Sequence, residues 1–360
     1  MLKEFDKKIV LADGTEYYGY GFGANKEAVY ELTFNTSVVG YQEIISTPSS
    51  IFKMVVMTYP VIGNYGITDE DYETKQPTIG ALVVREYNDE PSNFRYTKTL
   101  SEILEENNIP GIEGIDTRKL ARNIKKLENK KAIITDAKTE KEVALNKIKE
   151  YNIPKDSVKK VSSKKKWYSR TANHKYNVVA IDCGIKLNMV RCLNDRKCNV
   201  TVVPYNASID EVVSLKPDGI IISDGPGAPE DIPETLETLK NLKGKYPMFG
   251  IGLGNSLINL AYGAKLYEVN HRGGCYPVRN LDTNKIQTVA QGHEYKADEV
   301  SLKYTKLTIT HRNVLDNTVE GVECTKDKTF GVQFHPESAP GPQDTVYLFD
   351  KFIEFMKGEK

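Results

Sequence analysis

The segment Phe249-Gly250-Ile251-Gly252-Leu253-Gly254-Asn255 restricts the folds open to this chain more than any other stretch. An apolar run acquires glycine at alternate positions and then passes into the apolar, helix-compatible residues 256–262. Such a pattern asks for a strand, an abrupt turn and a helix. The glycines let the chain reverse sharply and push the central residue out at the carboxyl edge of a sheet. This is the shape of a nucleophile elbow, Gly-x-Nuc-x-Gly. Its tip here is Gly252, which has no side chain to attack with.

The junction lies within a longer alternation. Residues 178–181, 200–204, 219–223 and 247–251 read as buried strands. Residues 186–193 start a helix, and 233–242 and 256–262 are helical. Buried β-branched runs with helical connections predict an α/β domain with a mainly parallel sheet covered by helices. Residues 9–135 read differently, as short strands with polar turns at 8–11, 28–35, 53–59 and 80–85. One helix follows Ile115-Asp116-Thr117: Asp116 or Thr117 can cap it, and Leu120, Ile124 and Leu127 recur at helical spacing. That half is expected to be a mixed β/α domain.

Residues 155–170 are rich in Lys and Ser. They read as a solvated linker, with Trp167 packing where it joins the second domain. A nucleic-acid patch is the other reading, but no aromatic platform repeats beside the lysines. The expected organisation is residues 1–150, a basic linker 151–175, and residues 176–360. A chain of 360 residues is long enough for two domains with separate cores.

Charge gives no direction. Lys+Arg and Asp+Glu balance at 49 each, so no global field points to nucleic acid or a membrane as partner. No apolar run approaches the roughly 20 residues that span a bilayer, and residues 1–8 lack the apolar core of a secretion signal. Five cysteines, Cys183, Cys192, Cys198, Cys275 and Cys324, show neither paired spacing nor a metal-ligand pattern with the five histidines. A reducing cytoplasm and no metal site are expected.

In open α/β sheets ligands collect at the carboxyl ends of strands. Residues 223–229, 252–256 and 334–337 are expected there. In Ser223-Asp224-Gly225-Pro226-Gly227-Ala228-Pro229, Gly225 and Gly227 can present backbone N–H groups to an oxyanion or substrate; a plain tight turn explains the same glycines. In Phe334-His335-Pro336-Glu337 an imidazole lies two residues before a carboxylate. A carboxylate that fixes the tautomer of a proton-accepting imidazole is the base-and-orienter half of a triad.

Together these residues resemble the small, glutamine-hydrolysing chain of carbamoyl-phosphate synthase, whose second half is a class I glutamine amidotransferase domain. The resemblance covers essentially the whole chain. Its first-half motifs are Asp13-Gly14-Thr15, Phe34-Asn35-Thr36-Ser37, Gly40-Tyr41-Gln42-Glu43-Ile44, Thr58-Tyr59-Pro60, Ile62-Gly63-Asn64-Tyr65-Gly66, Ser92-Asn93-Phe94-Arg95 and Gly114-Ile115-Asp116-Thr117-Arg118. The second half adds residues 224–229, His271-Arg272-Gly273-Gly274, His335-Pro336-Glu337 and Pro340-Gly341-Pro342.

In that family an elbow cysteine attacks the glutamine amide. His and Glu activate it, and ammonia passes to a large chain that uses ATP and Mg. By position, the resemblance makes His335 the base and Glu337 its orienter. Ser49, Gly225, Gly227, Leu253 and Tyr295 would line the glutamine site. It also implies a large-subunit partner, a cytoplasmic setting, a role in arginine or pyrimidine biosynthesis, and no cofactor in this chain.

The family pattern breaks at several positions. Gly252 stands where the cysteine is expected, and loss of a triad nucleophile costs on the order of 10⁶-fold in kcat. Asn255-Ser256 replaces His-Gln, so a substrate-holding amide shrinks to the hydroxyl of Ser256. Gly292 stands for a glutamine-contacting Asn, and Glu294 adds bulk and negative charge where a glycine is usual. Cys275 replaces an Asn. Neither Ser256 nor Cys275 is placed at the elbow tip to act as a migrated nucleophile.

The leading expectation is a glutaminase-deficient small chain supporting ammonia-dependent carbamoyl phosphate synthesis, with L-glutamine binding doubtful. A glutaminase of altered specificity is one alternative. A non-catalytic module holding another small molecule is the other.

Overall fold

Ile9, Val10 and Leu11 are all fully buried, although successive strand residues face opposite ways. The strand must therefore be covered on both sides. Ile9 and Leu11 pack with Leu32, Phe34, Met54 and Val56, whereas Val10 packs with Ile133, Ala144 and Ile148. The first set lines the interior of a closed barrel. Its strands are β1 (Lys7–Leu11), β2 (Glu16–Gly23), β3 (Ala28–Asn35), β4 (Lys53–Met57), β5 (Ala81–Val83), β6 (Pro110–Glu113) and β7 (Lys131–Asp136). They neighbour one another in the order β1-β2-β6-β5-β4-β3-β7, and β7 closes antiparallel on β1. Helix α1 (Thr117–Ile124) contributes Leu120, Ala121 and Ile124 to the interior core. Asp116 is its cap, with the carboxylate accepting from the Lys119 N–H at 3.0 Å.

This barrel belongs to the first of two units in a computed structural model that describes residues 4–269 and 273–357. The first unit holds residues up to Pro154 with Gly273 and Gly274; the second begins at Lys155. The motif residues His271 and Arg272 lie outside the described residues.

Of the stretch read as a basic linker, 151–175, the part from Lys155 onward belongs to the second unit and carries structure. Helix α2 (Ser157–Val161) buries Val158 in that unit's core. Strand β8 (Trp167–Ser169) pairs antiparallel with the sheet. Asp182 accepts from both the N–H and the hydroxyl of Ser163, at 2.8 and 2.6 Å, and Trp167 Nε1 donates to Ser163 Oγ at 3.0 Å. Composition misleads here because Lys159, Lys160 and Lys164 to Lys166 are all exposed, while the few intervening residues make the contacts.

The second unit is organised around a sheet whose central strands are β9 (Tyr176–Asp182), β10 (Cys198–Pro204), β11 (Gly219–Ile222), β12 (Met248–Ile251) and, late in the chain, β17 (Thr329–Val332). These run parallel in the order β10-β9-β11-β12-β17. Alternate side chains serve two faces. Val178, Ala180, Ile221 and Phe249 pack with helices α3 (Leu187–Asp195) and α6 (Tyr347–Met356). Val179, Ile181, Ile220 and Met248 pack with α4 (Pro233–Leu242) and α5 (Leu253–Ala261).

The expected mainly parallel sheet holds only for this centre. Strand β8 flanks β10, and β13 (Gly274–Asn280), β14 (Ile286–Gln291), β15 (Thr308–Asn313) and β16 (Val319–Cys324) extend the other side in the order β17-β16-β15-β13-β14. The reversals from β13 to β14 and from β15 to β16 use short turns with Asn284 at φ 56° and Asn317 at φ 58°. Short turns of this kind join antiparallel neighbours, whereas parallel strands need a helical crossover.

Candidate functional site

Each elbow glycine has its own physical reason. Gly252 follows β12 with φ 55° and ψ −112°, a conformation that strains any L residue. Its N–H donates to the Val332 carbonyl at 2.9 Å, which ties the turn to β17. Gly250 and Gly254 allow close approach: a Cβ on Gly254 would lie 2.3 Å from the Ile222 carbonyl oxygen, and one on Gly250 2.5 Å from that of Gly254. Helix α5 can therefore start directly against β11 and β12.

Strand β11 ends at Ile222 and delivers Ser223 and Asp224 beside the elbow. Ser223 Oγ accepts from the Cys183 N–H at 2.9 Å and donates to the Asp224 carbonyl at 2.8 Å, which pins the turn. Asp224 Oδ1 accepts from the Leu253 N–H at 3.0 Å. The same oxygen would lie 2.1 Å from a Cβ built on Gly252. Its other oxygen, Oδ2, is 3.7 Å from His335 Nε2.

His335 follows β17, and its N–H donates to the Ala290 carbonyl at 2.9 Å. Its Nδ1 is 3.0 Å from Glu337 Oε1. Glu337 Oε1 in turn lies 3.3 Å from Lys186 Nζ, which also donates to the Ser338 carbonyl at 2.6 Å. Four buried ionisable groups thus alternate between acid and base: Asp224, His335, Glu337 and Lys186. Burial raises the cost of charging Glu337, but Lys186 and His335 outweigh it and hold that carboxyl down at about 2. Burial likewise works against a charged His335, yet Glu337 and then Asp224 overcome it and raise the imidazole above its usual range. Carboxylates thus face both nitrogens, and each favours the protonated over the neutral ring.

The remaining residues singled out from the sequence are placed as follows. Gly225 sits where a Cβ would be 2.1 Å from the Cys183 carbonyl oxygen, so close packing accounts for that glycine; Gly227 has φ +83°, and a Cβ there would meet Ser157 and Asp231 only at ordinary contact distances, 3.7 Å and beyond. Leu253 starts α5, and Ser256, buried in its first turn, donates its N–H to the Gly252 carbonyl at 3.1 Å. Asn255 turns away to the sheet, where its amide donates to Gln333 Oε1 at 2.7 Å.

Gly292 and Glu294 lie between β14 and the short strand Tyr295–Ala297, which packs against α5. Tyr295 has its hydroxyl pushed up to about 12, by burial and then by Glu268, Glu230, Glu294 and Asp231. Cys275 is exposed. Ser49 belongs to the first unit, on the turn Pro48–Ser50.

The sequence reading passed over Asp224 and Lys186. Asp224 had a signal, as the first charged residue after the apolar run 219–222; Lys186 had only its place at the start of the helix that follows the strand 178–181. Among the described residues no group of His, Cys, Asp and Glu could hold a metal ion. No described helix is long and apolar enough to cross a membrane.

An elbow at the carboxyl edge of a parallel sheet, with an imidazole–carboxylate pair beside it, defines a class. Residues 179–355 match the family Glutamine amidotransferase class-I, and residues 9–134 match Carbamoyl-phosphate synthase small chain, CPSase domain. Proteins named carbamoyl phosphate synthase small chain align along nearly the whole length. That of Staphylococcus saprophyticus subsp. saprophyticus is 43% identical over 100% of this chain and 98% of its own. That of Fusobacterium nucleatum subsp. nucleatum is 44% identical over 97% of this chain and 98% of its own. A solved structure, a glutamine amidotransferase from Thermotoga maritima, aligns at 17% identity and a TM-score of 0.41 over 52% of this chain and 100% of that one. The chain belongs to the carbamoyl phosphate synthase small chain family.

Proposed function

We propose that this chain is the small subunit of a carbamoyl phosphate synthase and does not hydrolyse glutamine itself. In this reading it supports synthesis from free ammonia by a large subunit, which carries the ATP and Mg chemistry. The observation behind the reading is the elbow tip: Gly252 has no side chain, and the Asp224 carboxylate occupies the space a side chain there would need. Glutaminase chemistry of this type passes through a covalent thioester, and an elbow without a thiol cannot form one.

The other departures act in the same direction. Glu294, next to Tyr295 in the chain, adds negative charge that would oppose the α-carboxylate of glutamine. His335 and Glu337 keep the positions of base and orienter but have no nucleophile to serve. The large subunit is the partner in this reading, and neither nucleic acid nor a membrane is.

The test is to co-purify the chain with its candidate large subunit, then to compare carbamoyl phosphate synthesis from ammonia and from glutamine. Ammonia should support turnover and glutamine should give background. Glutamine-driven synthesis at a comparable rate would sink the proposal.

A further inference from the structure

We infer that Asp224 is a built-in occupant of the former reaction centre, its carboxylate filling the volume of the elbow side chain, taking the anion-binding N–H of Leu253 and clamping His335. This rests on the reading of the elbow as an acyl-transfer site that has lost its nucleophile. Three contacts of one buried side chain carry it.

The first is spatial. Asp224 Oδ1 and Cγ would lie 2.1 and 2.7 Å from a Cβ at Gly252, well inside the closest approach that real side chains make. A thiol at this position and the present Asp224 conformer exclude each other. The second is the bond from the Leu253 N–H to Oδ1 at 3.0 Å. In an elbow, the N–H of the residue after the nucleophile is an oxyanion-hole donor. Asp224 supplies that donor with a permanent negative oxygen, where a tetrahedral intermediate would supply a transient one. The third is Oδ2, 3.7 Å from His335 Nε2, the nitrogen left on the elbow side once Nδ1 faces Glu337.

Rotating the carboxylate aside is costly. Asp224 is only 5% exposed, so moving it strands the Leu253 N–H and takes a buried carboxylate away from the His335 ring. The site is therefore closed by two residues acting together. Gly252 gives Asp224 its space, and Asp224 makes a side chain at 252 unfavourable. Reversal at position 252 alone should fail for a reason separate from backbone strain.

The experiment compares the unmodified chain, Gly252→Cys, Asp224→Ala and the double variant. Two readouts are used: melting temperature, and the rate at which iodoacetamide alkylates position 252, followed by peptide mapping. Gly252→Cys alone should melt several degrees lower. Asp224→Ala in the same chain should melt well above the level expected from the sum of the two single losses, making the pair strongly non-additive. Alkylation should be slower in the single variant by on the order of tenfold, the ratio that ~1.4 kcal/mol of obstruction gives. Additive melting shifts together with equal alkylation rates would overturn the inference.

Should Gly252→Cys fail to fold on its own, Asp224→Asn keeps the shape and removes the charge. Its His335 imidazole, followed by NMR, should then titrate at lower pH than in the unmodified chain; an unchanged titration overturns the clamp. These outcomes are separable from the proposed function. Glutamine hydrolysis by the unmodified chain with its large subunit would defeat that proposal while leaving the coupling between 224 and 252 to stand or fall on its own.

Discussion

Asp224, His335, Glu337 and Lys186 form a buried line in which acidic and basic groups alternate. Such a line tolerates burial only while it is complete, because removing one member leaves its partner desolvated and unpaired. Glu337 is the member with most to lose: it touches both His335 and Lys186 and is fully buried. Glu337→Gln should destabilise the second unit by ~3–5 kcal/mol near neutral pH, measured by denaturant unfolding.

The sign of the pH dependence follows from the depressed carboxyl. A carboxyl held at about 2 in the folded chain, against about 4.3 unfolded, contributes stability that is present above the unfolded value. That stability drains away as pH falls through the folded one. The gap between the unmodified chain and Glu337→Gln should thus be full above about pH 5 and narrow on acidification. A gap that stays constant down to pH 3, about a unit below the unfolded value, would show that the carboxylate is not what Lys186 and His335 stabilise.

At the scale of elements, the junction of β12 with α5 depends on closeness and its far end on conformation. Gly254 lies in ordinary helical geometry but against the Ile222 backbone, which cannot move aside. Gly263 has φ +90° and nothing within 4 Å of a built Cβ. The Ala264 N–H donates to the Asn259 carbonyl at 3.0 Å, so Gly263 is a left-handed helix end. Gly263→Ala should cost about 1 kcal/mol, the penalty of the left-handed region alone. Gly254→Ala should cost about 1–3 kcal/mol or more, because strand and helix must separate. Thermal melts of the two variants check the order, and equal losses would mean that the helix start is not packed as tightly as the backbone implies.

These elements were unequally legible in the sequence. Ala28–Asn35 and Pro233–Leu242 could be bounded from their patterns because local apolar period and a starting proline mark them. Barrel closure could not, since the pairing of Lys7 with Asp136 links residues far apart in the chain and leaves no local trace. The antiparallel flank had a signal, asparagines in short polar turns, that weighed less than the stronger helical alternation before it. In the site, His335 and Glu337 stood out because two residues of spacing put both at one strand end. The contact of Asp224 with the elbow joins two separate turns, so neither residue's neighbours betray it.

At the scale of the molecule, each unit closes its own core: one around Ile9, Leu32, Phe34 and Met54, the other around Phe249, Phe330 and Phe349. The chain has a single tryptophan, and Trp167 sits on β8 of the second unit. Its emission therefore reports that unit. Phe249 stacks on Phe330 at 4.3 Å between ring centroids and meets Phe349 edge-on at 5.6 Å. Phe249→Ala should cost ~3–5 kcal/mol and shift the tryptophan transition to lower denaturant. Leu32→Ala in the barrel should shift the circular-dichroism trace and leave the tryptophan transition in place. If both variants move the tryptophan signal equally, the units unfold as one.

The two sheets also differ in what they offer to other molecules. A closed barrel has no unpaired strand, whereas an open sheet ends in rows of free N–H and carbonyl groups that can recruit a strand from another copy and seed aggregation. On the β8 side that row is only three residues long, Trp167–Ser169, and three exposed lysines, Lys164, Lys165 and Lys166, precede it. Brevity and like charge are how proteins keep such borders from joining. The lysine run whose composition suggested a linker thus sets three like charges beside an open border of the sheet, the arrangement that disfavours edge-to-edge pairing.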